Sequence, residues 1–125
     1  MTYLFSAFEL VFIHEELHRL SYDIINKEVM ELNTIKKINY TFTLNKISNL
    51  GTKIEKTSSD IFNPMDVSVE ITEEEKEILL YMCDYSEDWY KSVTAKNKDD
   101  DNCSVLSHAQ EIFCRVLKEK INKGY

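Results

Sequence analysis

The stretch Ile38-Asn39-Tyr40-Thr41-Phe42-Thr43-Leu44-Asn45 decides the fold that the sequence predicts. Apolar and polar residues alternate along it, and this period of two is typical of a strand with one buried face. Asn49-Leu50-Gly51 then predicts a short turn, because glycine readily adopts a positive φ. Residues 52–57 predict the returning strand. The middle of the chain therefore predicts a β-hairpin.

The segment after the hairpin predicts a loop and a third strand. Residues 58–66 are largely polar and contain the helix breaker Asn63-Pro64, so they predict a loop. Val67, Val69 and Ile71 alternate with polar residues, which again indicates a strand. We expect this third strand to join the hairpin in one antiparallel sheet.

The chain before the hairpin predicts one long helix over residues 4–32. Its inner face is predicted from a three-four spacing of Leu10, Ile13, Leu17, Leu20 and Ile24. Val11, Ile25 and Val29 add a second apolar stripe beside it. The opposite side, expected to face water, carries Glu16, Arg19, Asp23 and Lys27. The competing interpretation is a strand over the first dozen residues, which are rich in aromatic side chains.

The first helix carries more apolar surface than a surface helix needs. Phe5, Phe8 and Phe12 supply much of the surplus. Such a surplus indicates either a central helix or a contact between subunits. We therefore expect a homodimer with these three residues at a protein interface.

Two helices are predicted to follow the third strand. Thr72-Glu73-Glu74-Glu75 matches a capping box, in which Thr72 accepts from the Glu75 amide and Glu75 reaches back. The inner face of this helix is predicted to be Ile78, Met82, Tyr85, Trp89 and Val93. The last helix is predicted to begin near Ser104 or Ser107. Its predicted inner stripe is Leu106, Ala109, Ile112 or Phe113, Val116 and Leu117.

Together these elements predict an α+β fold. It consists of a long N-terminal helix, a three-stranded antiparallel sheet (the hairpin plus one strand) and two C-terminal helices packed on one face. The chain has 125 residues with only two glycines and one proline, so no flexible linker is expected. Length and composition indicate a single compact domain over residues 1–125.

The composition restricts the possible partners. A formal net charge of −7 argues against direct binding to nucleic acid or an anionic membrane, and suits a basic protein partner. The N-terminus lacks a basic leader and its apolar stretch is too short to span a bilayer. Cys83, Cys103 and Cys114 form no C-x-x-C pair, which predicts reduced thiols in the cytoplasm.

His14-Glu15-Glu16-Leu17-His18 fits the pattern H-E-x-x-H. Residues four apart share one face of a helix, so His14 and His18 could hold one Zn²⁺. Glu15 would then be the general base that takes a proton from the bound water. The five residues resemble the metal-binding helix of zincin metalloproteases, and this resemblance implies a small zinc hydrolase.

The sequence around the motif differs from that family. Zincin helices usually carry uncharged residues where this chain has Glu16 and Arg19. A third ligand is required, and neither His108 nor a glutamate of residues 73–77 has a spacing that selects it. The alternative interpretation is that the two histidines are polar edges of an amphipathic helix.

The cluster Asp84-Tyr85-Ser86-Glu87-Asp88-Trp89-Tyr90 offers acids and aromatic groups to a protein partner, with Glu87, Asp88 and Tyr90 as interface candidates. No complete catalytic set accompanies it. We therefore expect a non-enzymatic bacterial or phage protein without a cofactor, which regulates or inhibits a larger protein. The zinc hydrolase is the alternative.

Overall fold

The computed structural model describes the backbone of residues 1–28, 34–59 and 66–124, and the side chains of residues 1–26, 43–57 and 66–124. The elements in chain order are β1 (Thr2–Phe5), α1 (Ala7–Asp23), a π-helical segment (Ile24–Glu28), α2 (Thr34–Ser59), β2 (Val67–Glu70), α3 (Glu73–Lys96) and α4 (Asp101–Lys123). The described chain is therefore mainly helical, and the predicted α+β fold with a three-stranded sheet is wrong.

The predicted β-hairpin is wrong because Thr34–Ser59 forms the helix α2. Ile47, Leu50 and Ile54 are buried at a spacing of three and four residues, as on the inner face of a helix. This pattern outweighs the alternation over residues 38–45, since strand preference depends strongly on the packing that a segment finds. Gly51 lies inside α2 without a positive φ, so it makes no turn.

The described residues form a two-stranded sheet of β1 and β2. The predicted strand at residues 67–71 is confirmed as β2, but its partner is the start of the chain. Met1 and Ile71 exchange backbone hydrogen bonds of 3.2 and 2.8 Å, the pattern of an antiparallel pair. Beside them the Thr2 hydroxyl donates to the Glu70 carboxylate. Of the predicted loop, residues 60–65 lie outside the described residues.

The first helix begins later than predicted. The Ser6 hydroxyl accepts from the Glu9 amide at 3.1 Å, and the Glu9 carboxylate accepts from the Ser6 amide at 2.9 Å. This capping box fixes the start of α1 after Ser6. The competing strand interpretation therefore holds for residues 2–5 alone. Residues 29–32 of the predicted helix lie outside the described residues.

The chain divides into two compact units. We call Leu4–Val69 the α1–α2 unit, and Met1–Tyr3 together with Glu70–Tyr125 the α3–α4 unit. Each strand belongs partly to one unit and partly to the other. The single domain indicated by the composition stays a prediction.

In the α1–α2 unit, α1 packs on α2. The predicted inner face of α1 is confirmed, with Leu10, Ile13, Leu17, Leu20 and Ile24 all buried. Glu16 differs from the prediction, because it is buried instead of facing water. The Arg19 guanidinium, one turn further on, binds its carboxylate. This partner compensates part of the cost of removing the charge from water.

In the α3–α4 unit, two helices pack as a hairpin joined by residues 97–100. The Thr72 capping box is confirmed, with bonds of 3.1 and 2.9 Å to Glu75. Asp100 caps α4, which begins at Asp101, ahead of the predicted start. The Tyr3 hydroxyl donates to the Ile121 carbonyl at 2.9 Å and attaches β1 to the end of α4.

Of the predicted inner faces of these two helices, Met82 and Leu117 are confirmed as buried, and the other buried positions differ from the prediction. The buried residues are Leu79, Met82, Cys83 and Ser86 on α3, and Ser107, Glu111, Cys114, Leu117 and Ile121 on α4. Several of these side chains are small, which allows two helices to approach closely. The hydroxyl oxygens of Thr94 and Ser107 are 2.6 Å apart across the contact. The large apolar residues predicted for the inner stripe of α4 are mostly left on its outer side.

Candidate functional site

The H-E-x-x-H motif lies on α1, in a regular helix. His14 is half-buried, whereas Glu15 and His18 are exposed. The two histidines are one turn apart, as the spacing predicts, because helical residues four apart share a face. Glu15 lies about 100° further round the helix from His14. This offset is common to any helix that carries the motif, so it neither supports nor excludes a role for Glu15.

A cleft of about 500 Å³ opens between α1 and α2, within the α1–α2 unit. His14 and His18 line one wall, and Glu55 of α2 lines the other. The His14 Nε2 and Glu55 Oε2 atoms are 3.8 Å apart. Ser48 and Thr52 lie on the same face of α2 as Glu55 and also line the cleft. The structure thus brings a third possible metal ligand to the two histidines, but Glu15 is not part of the lining.

Glu55 was not among the third ligands that the sequence suggested. Its position follows from the helical spacing of Ser48, Thr52 and Glu55, which a strand over residues 52–57 conceals. The suggested candidates have other roles. His108 Nδ1 lies 3.1 Å from the Glu111 carboxylate on its own helix, and Glu75 belongs to the α3 cap.

The described side chains do not form a metal site as they stand. Over residues 1–26, 43–57 and 66–124, no three His, Cys, Asp or Glu side chains lie close enough together to hold a metal ion. Zinc binding by His14 and His18, and the catalytic role of Glu15, stay predictions.

Glu87 of the acidic cluster takes part in an ion-pair group along the α3–α4 contact. Its carboxylate lies 2.6 Å from Arg115 Nε and 3.4 Å from Lys91 Nζ. The hydrogen bond from Arg115 holds the pKa of Glu87 below its ordinary value of 4.5, against the opposing effect of burial. Arg115 also binds Glu111, at 2.9 Å.

A second ion pair joins the same two helices. Asp84 accepts from the Lys118 ammonium, and this hydrogen bond raises the pKa of Lys118. Asp88 is exposed. Tyr90 is half-buried, with its ring edge-on to Trp89 at 5.0 Å. Of the predicted interface residues on α3, Glu87 is therefore engaged inside the chain, and Asp88 is the most accessible.

The three phenylalanines of the predicted interface lie in different environments. Phe5 and Phe12 are buried inside the chain, while Phe8 is 62% exposed. Val11, three residues further along α1, is also exposed, as is Leu4 on β1. The expected apolar surface near the start of α1 therefore consists of Phe8 and Val11. A role in dimerisation stays a prediction.

A longer apolar surface lies on the outer side of α4. Val105, Ile112 and Val116 are 67%, 45% and 58% exposed. With the exposed Ala109 between them they are spaced by four, three and four residues, so they form one stripe along the helix. We call these four residues the outer stripe of α4. Three of them, Ala109, Ile112 and Val116, belong to the stripe that the sequence predicts as the inner side of α4.

Neither the hydropathy of the helices nor similarity to known proteins indicates a function. None of the helices in the described parts of the chain has the length and apolar character needed to cross a membrane. Comparison with protein families, curated proteins and solved structures finds no match.

Proposed function

We propose that this protein acts by binding another protein, with the outer stripe of α4 as its contact surface. The supporting observation is the exposure of Val105, Ile112 and Val116 along about three turns of one helix. Leaving such a row in water costs free energy that a partner can recover, because apolar burial contributes roughly 25 cal/mol per Å². Contiguous apolar patches of this kind mark interaction sites.

The spacing of the stripe indicates what it binds. A four-three-four repeat of apolar residues is the pattern of one helix packed along another helix. The first candidate partner is α4 of a second copy, since a two-fold dimer places the same stripe on both sides. α4 carries four basic and three acidic residues, so two copies of it can meet despite a net charge of −7 on each chain.

A basic protein partner remains part of the proposal, because the rest of the chain carries the acidic excess. The three cysteines are free thiols, which supports a reducing compartment, and we propose the cytoplasm. The zinc hydrolase is less well supported, since its general base Glu15 is exposed and does not line the cleft with the histidines.

The test compares two lysine variants of α4 by size-exclusion chromatography with light scattering. Ile112→Lys lies in the outer stripe, and Glu119→Lys is a matched control at an exposed position that is already polar. We expect the parent chain and Glu119→Lys to show dimer mass that increases with concentration. Ile112→Lys should remain monomeric at the same concentrations, with unchanged circular dichroism.

A parent chain that is monomeric at every concentration would rule out the second copy as the partner. A photo-crosslinking residue placed at position 112, and in a separate sample at position 119, then tests for a different protein. Cross-linking to a defined protein from 112 alone supports the outer stripe. Equal cross-linking from both positions, or none, removes the proposal.

A further inference from the structure

We propose that α1 pairs in antiparallel orientation with α1 of a second copy, through a row of exposed residues on its outer side. This contact lies on a different helix from the outer stripe of α4. It gives the chain a second surface that binds its own copy, so that pairs formed through α4 can join into larger assemblies.

The exposed residues of α1 lie along one side of the helix. Their spacings are three, four, three and four residues, the repeat of a helix packed along another helix. Phe8, Val11 and Tyr22 are 62%, 52% and 63% exposed, and Ile25, at 47%, continues the row into the π-helical segment. Apolar groups aligned in this way indicate a contact surface. We call the exposed residues of α1 its outer row: Phe8, Val11, Glu15, His18 and Tyr22.

The order of side chains in the outer row selects a second copy as its occupant. Two identical helices that pair antiparallel are related by a two-fold axis, and the same surface then lies on both sides of the contact. With the axis between residues 16 and 17, Val11 faces Tyr22 of the second copy, and Phe8 faces Ile25 of the second copy. Apolar residues therefore meet apolar residues at both ends of the row.

The polar centre of the row determines the direction of the pairing. In the antiparallel arrangement Glu15 faces His18 of the second copy, and this pair occurs twice. An imidazole N–H donates to a carboxylate, and a protonated imidazole attracts it more strongly. Parallel pairing in register would instead place the two Glu15 carboxylates against each other, which is unfavourable. Within the described parts of the chain, neither Glu15 nor His18 has a hydrogen bond or ion pair that the contact would break.

The two surfaces of the chain differ in expected strength. Exposed ion pairs contribute little to affinity, so pairing through α1 depends mainly on the apolar residues at the ends of its row. The outer stripe of α4 is apolar at all four positions. We therefore expect the α4 stripes to pair at lower protein concentration, and the outer rows of α1 to pair only at higher concentration.

The experiment traps this weaker contact as a disulfide bond between copies. The full chain carries Ile112→Lys, which removes pairing through α4, and Cys103→Ser, since the other two native cysteines are buried. Val11→Cys and Tyr22→Cys are then introduced together and the protein is oxidised with diamide. We expect a covalent dimer on a non-reducing gel, because facing residues come within the Cα separation of about 7 Å that a disulfide spans. Within one chain the two positions are about 16 Å apart along the helix, too far to bridge.

Val11→Cys alone is the matched control. In the antiparallel pair its two thiols are also about 16 Å apart along the helices, whereas in a parallel pair they would meet. Tyr81→Cys, at a 59% exposed position on α3, measures cross-linking by random collision. Covalent dimer from the double variant alone supports the proposal. Equal yields from the double variant and either control, or no dimer from any of them, would overturn it. Circular dichroism before oxidation confirms that each variant is folded.

A charge exchange tests the polar centre in the same double-cysteine chain. Glu15→Lys should lower the yield of covalent dimer severalfold, because two basic groups then face each other. Adding His18→Glu should restore the yield, since opposite charges face each other again. An unchanged yield in Glu15→Lys, or no recovery in the combined variant, would contradict the register with Glu15 opposite His18 of the second copy.

Discussion

The two helix pairs of this protein are held together by different interactions. In the α3–α4 unit the two helices bury apolar residues and are also joined by polar contacts: Arg115 binds Glu87, Lys118 binds Asp84, and Thr94 meets Ser107. In the α1–α2 unit the described helices pack through apolar residues on one side. On the other side they separate and leave the cleft. There His14 and Glu55 face each other at 3.8 Å across a cleft.

This difference determines which groups each unit leaves exposed. Buried side chains and ion pairs fill the α3–α4 contact, while apolar groups remain exposed on the outer side of α4, the proposed contact surface. The α1–α2 contact is open on one side, so its donor atoms are accessible between the helices.

The largest expected effect comes from one buried leucine in each unit. Leu20 of α1 and Leu79 of α3 are both completely buried. Leu20→Ala and Leu79→Ala should each lower the free energy of unfolding by about 2–5 kcal/mol, through lost apolar contact and the cavity left behind. Thermal or urea unfolding, followed by circular dichroism, measures the change.

The same two variants test whether the units unfold together. Trp89 is the only tryptophan of the chain and lies on α3, so its fluorescence reports on the α3–α4 unit. We expect both variants to lower the fluorescence midpoint, because β1 and β2 each run from one unit into the other. A Leu20→Ala protein with the parent fluorescence midpoint would show independent units and contradict the single domain.

The two glycines offer a second comparison, with opposite expected signs. A Cβ atom added at Gly51 or at Gly124 would meet no other atom within 4 Å. Gly51 has helical geometry inside α2, so Gly51→Ala should stabilise the protein by roughly 0.5–1 kcal/mol. Gly124 ends α4 at a φ of 81°, so Gly124→Ala should destabilise it, by about 1 kcal/mol at most because the helix end can fray.

Urea unfolding of both variants measures these changes under identical conditions. Destabilisation by Gly51→Ala would mean that residue 51 is not helical, and would restore the turn that the sequence predicted. The Gly124→Ala variant serves as the control, since it adds the same methyl group in equally open space.

Local signals in the sequence predicted helix starts well. The Thr72–Glu75 capping box correctly placed the start of α3, because a cap depends on residues three apart and on little else. Ser6 and Glu9 carry the same pattern at the start of α1. Recognising it would have separated the strand at residues 2–5 from the helix that follows.

Signals that depend on distant packing were less informative. The alternation over residues 38–45 predicts a strand only if a neighbouring strand is present, and the described chain provides helix contacts instead. The inner stripe of α4 was predicted from hydrophobicity. The α3–α4 contact instead buries the face that carries Ser107, Cys114 and Leu117. Glu55 could not be identified as a cleft residue while residues 52–57 were predicted to be a strand.

The smallest expected effect concerns the ion pair of Glu87 and Arg115. The pKa of Glu87 is lowered in the folded protein, so its carboxylate stabilises the fold at pH values above the ordinary pKa of 4.5. The contribution is lost as the pH falls through the folded-state pKa. Glu87→Gln should therefore be slightly less stable than the parent at neutral pH. The difference should disappear in acid, where both side chains are neutral.

Asp88→Asn is the matched control for this pH dependence. Asp88 is the next residue on α3, exposed, and within the described residues it has no ion pair. Removing its charge should leave the stability difference from the parent nearly independent of pH. Urea unfolding between pH 3 and pH 7 at low salt measures both variants, since salt screens a pair with a half-exposed arginine. Equal pH dependence in both would mean that Arg115 does not hold Glu87 in solution. The ionic contact between α3 and α4 would then depend on Asp84 and Lys118.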